Sequence, residues 1–134
     1  MNDFNQKIIE EFRANDGKVG GPFAGSQLLL LHTTGAKSGQ ERIAPLAYRK
    51  EGESLAVFGS KAGAPTNPDW FHNLVANPEV TVEVGTDQFA ARARVAEGDE
   101  HDRIWEAHTR EVPNVAEYQK KTDRTIPVII LERV

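Results

Sequence analysis

The chain has 134 residues and no cysteine. That excludes a disulfide framework, a thiolate metal site and a cysteine nucleophile. Long apolar runs are also missing. Stretches such as Leu28 to Leu31 are one strand long, far short of the roughly 20 residues that a membrane span needs. Basic residues do not predominate: 16 Lys and Arg stand against 20 Asp and Glu, a formal charge of −4. A broadly basic nucleic-acid surface is therefore not expected. The histidines His32, His72, His101 and His108 show neither HxH nor HxxxH spacing, so no metal site is expected. Met1-Asn2-Asp3-Phe4 is not a basic segment leading into an apolar one, so no signal peptide is expected. There is no internal repeat and no low-complexity tract. The expectation is one domain over residues 1–134, located in the cytoplasm.

Local patterns supply the elements. Asp3 is placed to cap a helix running to about Ala14, with Phe4, Ile8, Ile9 and Phe12 on one stripe. Asn15 to Gly25 is glycine-rich and reads as a loop. Leu28 to Leu31 suits a strand buried on both faces and ends at Thr33-Thr34-Gly35. Arg42 to Arg49 and Ser54 to Gly59 read as a hairpin turning at Glu51-Gly52, irregular or at an edge near Pro45, which lacks a donor. Val80 to Val84 and Phe89 to Val95 read as a second hairpin, with Phe89, Ala91, Ala93 and Val95 on one face and Arg92 and Arg94 on the other. Pro127 to Leu131 is a last strand. Asn67-Pro68-Asp69 predicts a capped helix to about Ala76, stopped by Asn77-Pro78. Asp99 opens another helix, ending near Pro113, and Asn114 caps a third to about Lys121. Strands that come as hairpins argue for an α+β chain: an antiparallel sheet or small barrel with helices outside it, not a doubly wound sheet.

Two segments carry candidate chemistry. From His32 to Lys50, Lys37, Arg42, Arg49 and Lys50 face Glu41 alone, a local charge of +3, so the rest of the chain carries −7. Hydroxyls and glycines beside those cations are what a phosphate or carboxylate tail requires, as they also are in an ordinary solvated turn. The glycine spacing is not that of a P-loop. The second segment runs from Phe58-Gly59-Ser60-Lys61 to Asp69-Trp70. Small residues at a strand end let a flat ring approach the backbone, and the following helix start favours anions; the same pattern suits a plain strand-to-helix connection. Ser60, Lys61 and His72 lack the GxSxG context of a nucleophile elbow. Tyr118, flanked by Lys120 and Lys121, can line a pocket or sit at the surface.

The ordered motifs are Leu-Leu-His-Thr-Thr-Gly-Ala-Lys-Ser-Gly-Gln-Glu-Arg, Pro45-Leu46, Gly-Ser-Lys-Ala-Gly-Ala-Pro-Thr-Asn-Pro-Asp-Trp-Phe-His-Asn-Leu, Ala76-Asn77-Pro78, Tyr118-Gln119 and Thr122-Asp123-Arg124-Thr125-Ile126-Pro127. Together, from Asn15 to the end, they resemble the deazaflavin-dependent nitroreductase family of actinobacteria. The resemblance implies a six-stranded antiparallel split β-barrel of the flavin-binding type. It implies coenzyme F420, an 8-hydroxy-5-deazaflavin, delivering hydride to a quinone or nitro-aromatic acceptor; FMN fits less well. It places the cofactor's phosphate and glutamyl tail on Ala36, Lys37, Ser38 and Arg42, and its length along Ile43, Ala44, Pro45 and Leu46. The ring is placed by Phe58, Gly59, Ser60 and Lys61 and by Asp69, Trp70, Phe71, His72 and Asn73.

Departures from the family pattern bear on the substrate. Tyr118 matches a substrate-side tyrosine, whereas Val115 and Ala47 stand where bulky aromatics occur in relatives that reduce nitroimidazoles. A roomier, less polar pocket follows, and quinones are the favoured acceptors. The cofactor carries the hydride itself, so the protein's task is placement. A product anion takes its proton from water or from the Tyr118 or Ser60 hydroxyl. The rival reading is a non-catalytic flavin-, deazaflavin- or haem-binding barrel. The short N-terminal helix, mixed in charge, gives a membrane surface little to hold, so association with its inner face is peripheral at most. Monomer and homodimer both remain open.

Overall fold

A computed structural model of the chain describes residues 3–15, 28–59, 66–122 and 124–134. Its elements run α1 (Asp3–Ala14), β1 (Leu28–Thr34), β2 (Glu41–Glu51), β3 (Ser54–Phe58), α2 (Asp69–Ala76), β4 (Glu79–Val84), β5 (Asp87–Val95), α3 (Gly98–Glu111), α4 (Pro113–Lys120) and β6 (Val128–Arg133). The six strands close an antiparallel barrel in the order β1-β2-β3-β6-β5-β4. That is the α+β split barrel the sequence predicts. The loop expected over Asn15 to Gly25 lies, beyond Asn15, outside the described residues.

The two continuous apolar strands are covered on both faces. Leu29 and Leu31 point into the barrel with Val57, Val82, Ala91, Ile129 and Leu131. Leu28 and Leu30 point outward beneath Ile8, Ile9 and Phe12 of α1. In β6, Val128 and Ile130 pack outward with Ala56, Ala96 and Ile104 of α3. α2 adds Leu74 to the interior cluster, with Trp70 and Phe71 packed against it. β5 alternates as expected: Ala91 and Ala93 are buried, Arg92 and Arg94 exposed.

β2 changes partner along its length. Glu41 to Ala47 pairs with β1 and Tyr48 to Glu51 with β3. Pro45, opposite Leu30, therefore stands where one side of β2 has no strand neighbour among the described residues, and its missing N–H costs no ladder bond. Gly52 and Gly85, at φ 61 and 58, supply the left-handed positions of the two tight hairpin turns.

Helix starts differ from the sequence expectation. Pro68, extended at φ −67 and ψ 155, precedes α2, and no side chain caps that helix. The Asn67 oxygen instead accepts from Arg124 Nη1 at 2.8 Å. α4 opens on Pro113 after Val112, which puts Asn114 inside the helix and not at its cap. Asp3 is already helical, and its side chain lies outside the described set.

α1 is also fastened by charge. Arg13 donates two hydrogen bonds to Glu83 of β4, at 3.3 and 2.9 Å. The Glu83 carboxylate also meets His32 Nε2 at 2.5 Å. The Arg13 hydrogen bond, chiefly, holds the Glu83 carboxyl below the ordinary carboxylate range, with a smaller contribution from His32. A depressed folded-state pKa stabilises the fold above the unfolded value and is lost as pH falls through the folded one. Glu83→Gln is thus expected to lower stability at pH 7. In urea titrations from pH 7 to pH 3, its difference from wild type should shrink below the ordinary glutamate pKa, about 4.3.

Candidate active site

A cleft of about 720 Å³ opens among the turn after β1, the start of β2 and the first turns of α2. The turn contributes Thr33, Gly35, Ala36, Lys37 and Ser38; β2 contributes Glu41, Arg42, Ile43 and Ala44; α2 contributes Asp69, Trp70, His72 and Asn73.

The turn is built to hold a fixed shape. Gly35 N–H donates to the Gln40 carbonyl at 2.7 Å, and Gly39 N–H to the Gly35 carbonyl at 3.0 Å. A Cβ on Gly35 would lie 2.5 Å from Ser38 Oγ and 3.3 Å from the Gln40 carbonyl oxygen, so any side chain there would displace the Ser38 hydroxyl. Ser38 Oγ accepts from Gln40 N–H at 3.2 Å. Asn73, buried on α2, ties this turn to the helix. Its oxygen accepts the Ala36 N–H at 3.0 Å, and its Nδ2 donates to Thr33 Oγ1 at 3.2 Å. Asn77 Nδ2 reaches the Thr34 carbonyl at 3.5 Å.

Charge is distributed unevenly. Arg13, Arg49, Arg94, Arg103, Lys120 and Arg133 each have a carboxylate partner. Lys37 and Arg42 form no ion pair among the described residues, although both line the cleft. Glu41, the acid between them, lies 3.4 Å from His32 Nδ1. The cleft therefore presents two cations without an ion-pair partner, beside a hydroxyl and backbone groups and with Glu41 and Asp69 on the same lining; the cations, hydroxyl and N–H groups are a donor set suited to phosphate or carboxylate.

Ten of the residues singled out from sequence line this cleft: Ala36, Lys37, Ser38, Arg42, Ile43, Ala44, Asp69, Trp70, His72 and Asn73. The others do not. Leu46 and Phe71 pack against the barrel interior, and Pro45 lies farther along β2. Ser60 and Lys61 fall outside the described residues. Tyr118, on α4, is half-buried with Lys121 Nζ 5.9 Å from its ring centroid.

Three of the expected positions have neighbours that the sequence does not show. Phe58 faces α3, its ring stacked on His108 at 4.0 Å and 7°, because alternation in β3 sends it outward with Ala56. Burial, chiefly, with Arg49 near it, pushes His108 below its ordinary pKa, so the stacked ring is neutral at pH 7. Gly59 is closely packed: a Cβ there would lie 2.7 Å from Pro127 Cγ and 3.5 Å from Pro68 Cδ. Val115 is buried at 9% exposure.

Sequence reasoning passed over Thr33, Gly35 and Glu41 as lining residues. It also passed over Arg124, whose Nη1 donates to the Gly59 carbonyl at 3.0 Å. The first three flank motif residues that were named. Two of Arg124's partners lie 57 and 65 residues away, beyond the reach of any local rule.

The model of the F420H(2)-dependent quinone reductase family matches residues 5–133. A relative described as an F420H(2)-dependent quinone reductase of Mycobacterium tuberculosis is 38% identical over 126 residues, 91% of this chain and 85% of its own length. A solved structure of an F420-H2 dependent reductase is similar with a TM-score of 0.72 and 43% identity, over 79% of this chain and 94% of that one. Another, described as a domain-swapped dimer, has a TM-score of 0.74 and 40% identity over 95% and 93%. The haem storage protein HutZ of Vibrio cholerae shares the fold alone, at 16% identity and a TM-score of 0.61, over 97% of this chain and 90% of that one.

Two substitutions test the architecture. Gly59→Ala should cost about 1–3 kcal/mol, because Pro127 belongs to a packed wall and must shift. Asn73→Ala should cost about 1 kcal/mol and speed amide exchange at Ala36, while exchange in β4 is unchanged. Urea denaturation and amide exchange measure both.

Proposed function

We propose, for a chain that belongs to the F420H(2)-dependent quinone reductase family, that it reduces quinones with reduced coenzyme F420 and that the cleft between the β1–β2 turn and α2 holds the cofactor. The observation that carries this is that Lys37 and Arg42, which have no ion-pair partner among the described residues, both stand on the cleft wall of an acidic protein. They fit the cofactor's phosphate and glutamyl tail, with Ser38 Oγ and the backbone of Ala36 beside them. Ile43 and Ala44 offer an apolar strip on one wall, and Asp69, Trp70, His72 and Asn73 border the other.

When bound, the reduced deazaflavin supplies the hydride. The chain's own residues bind and orient. Lys37 and Arg42 anchor the charged end. Asn73 keeps their turn in register with α2. Trp70, half-buried at the cleft, gives a flat surface that excludes water from one side. The product anion takes its proton from water, or from the hydroxyl of Tyr118 or Ser60. The reading also assigns Pro45, Leu46, Phe58, Gly59, Lys61 and Phe71 to the cofactor and Val115 to the acceptor.

The finer reading extends to nitro-aromatic acceptors as a second substrate class. It places the chain in the cytoplasm of an actinobacterium as a single reductase domain over 1–134. No helix among the described residues is long and apolar enough to cross a membrane. Among those residues no group of three or more His, Asp or Glu could hold a metal.

Lys37→Ala and Arg42→Ala should each weaken binding of the deazaflavin by about 1.5–3 kcal/mol, as expected for hydrogen bonds to charged groups. The loss should shrink with rising salt. A cofactor fragment without phosphate and glutamates should bind both variants as it binds wild type. Fluorescence titration at two salt concentrations measures this, and equal losses for fragment and whole cofactor would place these residues away from the tail. Tyr118→Phe should slow menadione reduction by only about tenfold, or about 1.4 kcal/mol, because water can still deliver the proton.

A further inference from the structure

The segment between α4 and β6 is held by side chains from several elements. Gln119 of α4 donates Nε2–H to the Arg124 carbonyl at 2.7 Å, and its oxygen accepts the Ile126 N–H at 3.0 Å. His101 of α3 donates Nε2–H to the Ile126 carbonyl at 2.8 Å. Gly59 donates its N–H to the Pro127 carbonyl at 3.0 Å. From this anchored segment Arg124 reaches back. Its Nη1 donates at once to the Gly59 carbonyl at 3.0 Å and to Asn67 Oδ1 at 2.8 Å.

Those two acceptors sit where β3 ends and where the chain enters α2. α2 has eight residues and no side-chain cap. A helix so short is marginal by itself and depends on tertiary contacts for its place. Its first turn is held locally by Phe71 N–H to the Pro68 carbonyl at 3.1 Å. Its later residue Asn73 holds the basic turn. Among the described residues, Arg124 is a side chain that binds both the end of β3 and the approach to that first turn.

We infer that Arg124 is a positioning residue for the cleft: by binding Gly59 and Asn67 together it sets where α2 starts, and so where Asp69 and Trp70 stand relative to the bound cofactor. The inference rests on the reading of the cleft as the cofactor site. A guanidinium suits the task, because one Nη carries two N–H groups in a fixed plane and can serve two acceptors without rearrangement.

The test uses Arg124→Gln, Asn67→Ala and the double variant in the full chain. In the cofactor-free protein, hydrogen exchange at the Gly59 and Phe71 amides should quicken by roughly tenfold or more, while Leu29 to Leu31 and Val82 keep wild-type protection, because the opening is local. In the loaded protein, the dissociation constant for reduced F420 should change by less than about threefold. The single-turnover rate with menadione should fall roughly tenfold to a hundredfold, the scale expected for small misplacements of reacting groups. The double variant should be no worse than Arg124→Gln alone, since both substitutions break one contact. If Arg124→Gln fails to fold, Arg124→Lys takes its place, with exchange and rate both expected between wild type and the loosened state. Uniform loss of protection, with affinity and rate falling by one factor, would reduce Arg124 to a stabilising residue and overturn the inference. So would an unchanged rate despite faster exchange at Phe71, or additive effects in the double variant. A wild-type chain that binds no F420 would instead overturn the cofactor reading, leaving the exchange pattern to report on the clamp by itself.

Discussion

Leu28 to Leu31 and Val128 to Leu131 have no polar side to give to water, and the architecture follows from covering them. In a closed barrel one face of each strand is buried automatically. The other face needs a helix. α1 covers Leu28 and Leu30, and α3 covers Val128 and Ile130. Each fully buried side chain of this kind contributes about 1.5–3 kcal/mol relative to exposure, so these helices are fixed by apolar area more than by their own propensity. β4 and β5 make the opposite case. Their outward residues, among them Arg92 and Arg94, are polar and charged, and the barrel wall can face solvent there. α2 has a third role, since Leu74, Trp70 and Phe71 join the interior cluster. It thus packs against the barrel interior while its other residues line the cleft.

Electrostatics then separates structural charge from available charge. Arg94 grips Glu100 of α3 through two hydrogen bonds and meets Glu132 of β6. Arg49 joins Glu51 of β2 to Glu111 of α3. Such pairs are worth little individually at a surface, but they neutralise the cations that take part. Lys37 and Arg42 stand apart from this network, and the nearest acid in sequence, Glu41, lies by His32. In a chain with a net charge of −4, Lys37 and Arg42, unpaired at the cleft although Glu41 and Asp69 share its lining, are the charges there that an anionic ligand can meet.

What was legible in the sequence, and what was not, divides along physical lines. Strand existence was legible because burial on two faces and burial on one face leave different patterns, a continuous apolar run and an alternation. Pro45 was legible as an edge because a missing donor has few places to go. The basic turn was legible from its charge. The helix caps were misread because Asn67 satisfies a distant guanidinium and not its own helix, and no local rule contains that competition. Gly59 was read as an approach for a ring, yet the sequence cannot show that Pro127 and Pro68 converge on it. Phe58 was read as a cofactor wall, although the period of β3 already assigned it to the same face as Ala56.

The remaining step concerns how a site made of connections can be held as firmly as one made of strands. Residues in a turn have backbone donors and acceptors with no ladder to join, and each must find a partner. Here the partners come from side chains on neighbouring elements. Asn73 serves Ala36, Gln119 serves Ile126 and Arg124, His101 serves Ile126, and Arg124 serves Gly59. Each of these bonds joins a regular element or an anchored segment to an irregular one. The apolar clusters decide that a barrel forms, but they are indifferent to a displacement of the β1–β2 turn by an ångström. Polar bonds are not indifferent, because their strength falls steeply with distance and angle. The placement of Lys37, Trp70 and their neighbours therefore depends on a few amide and guanidinium groups that never need to touch the ligand.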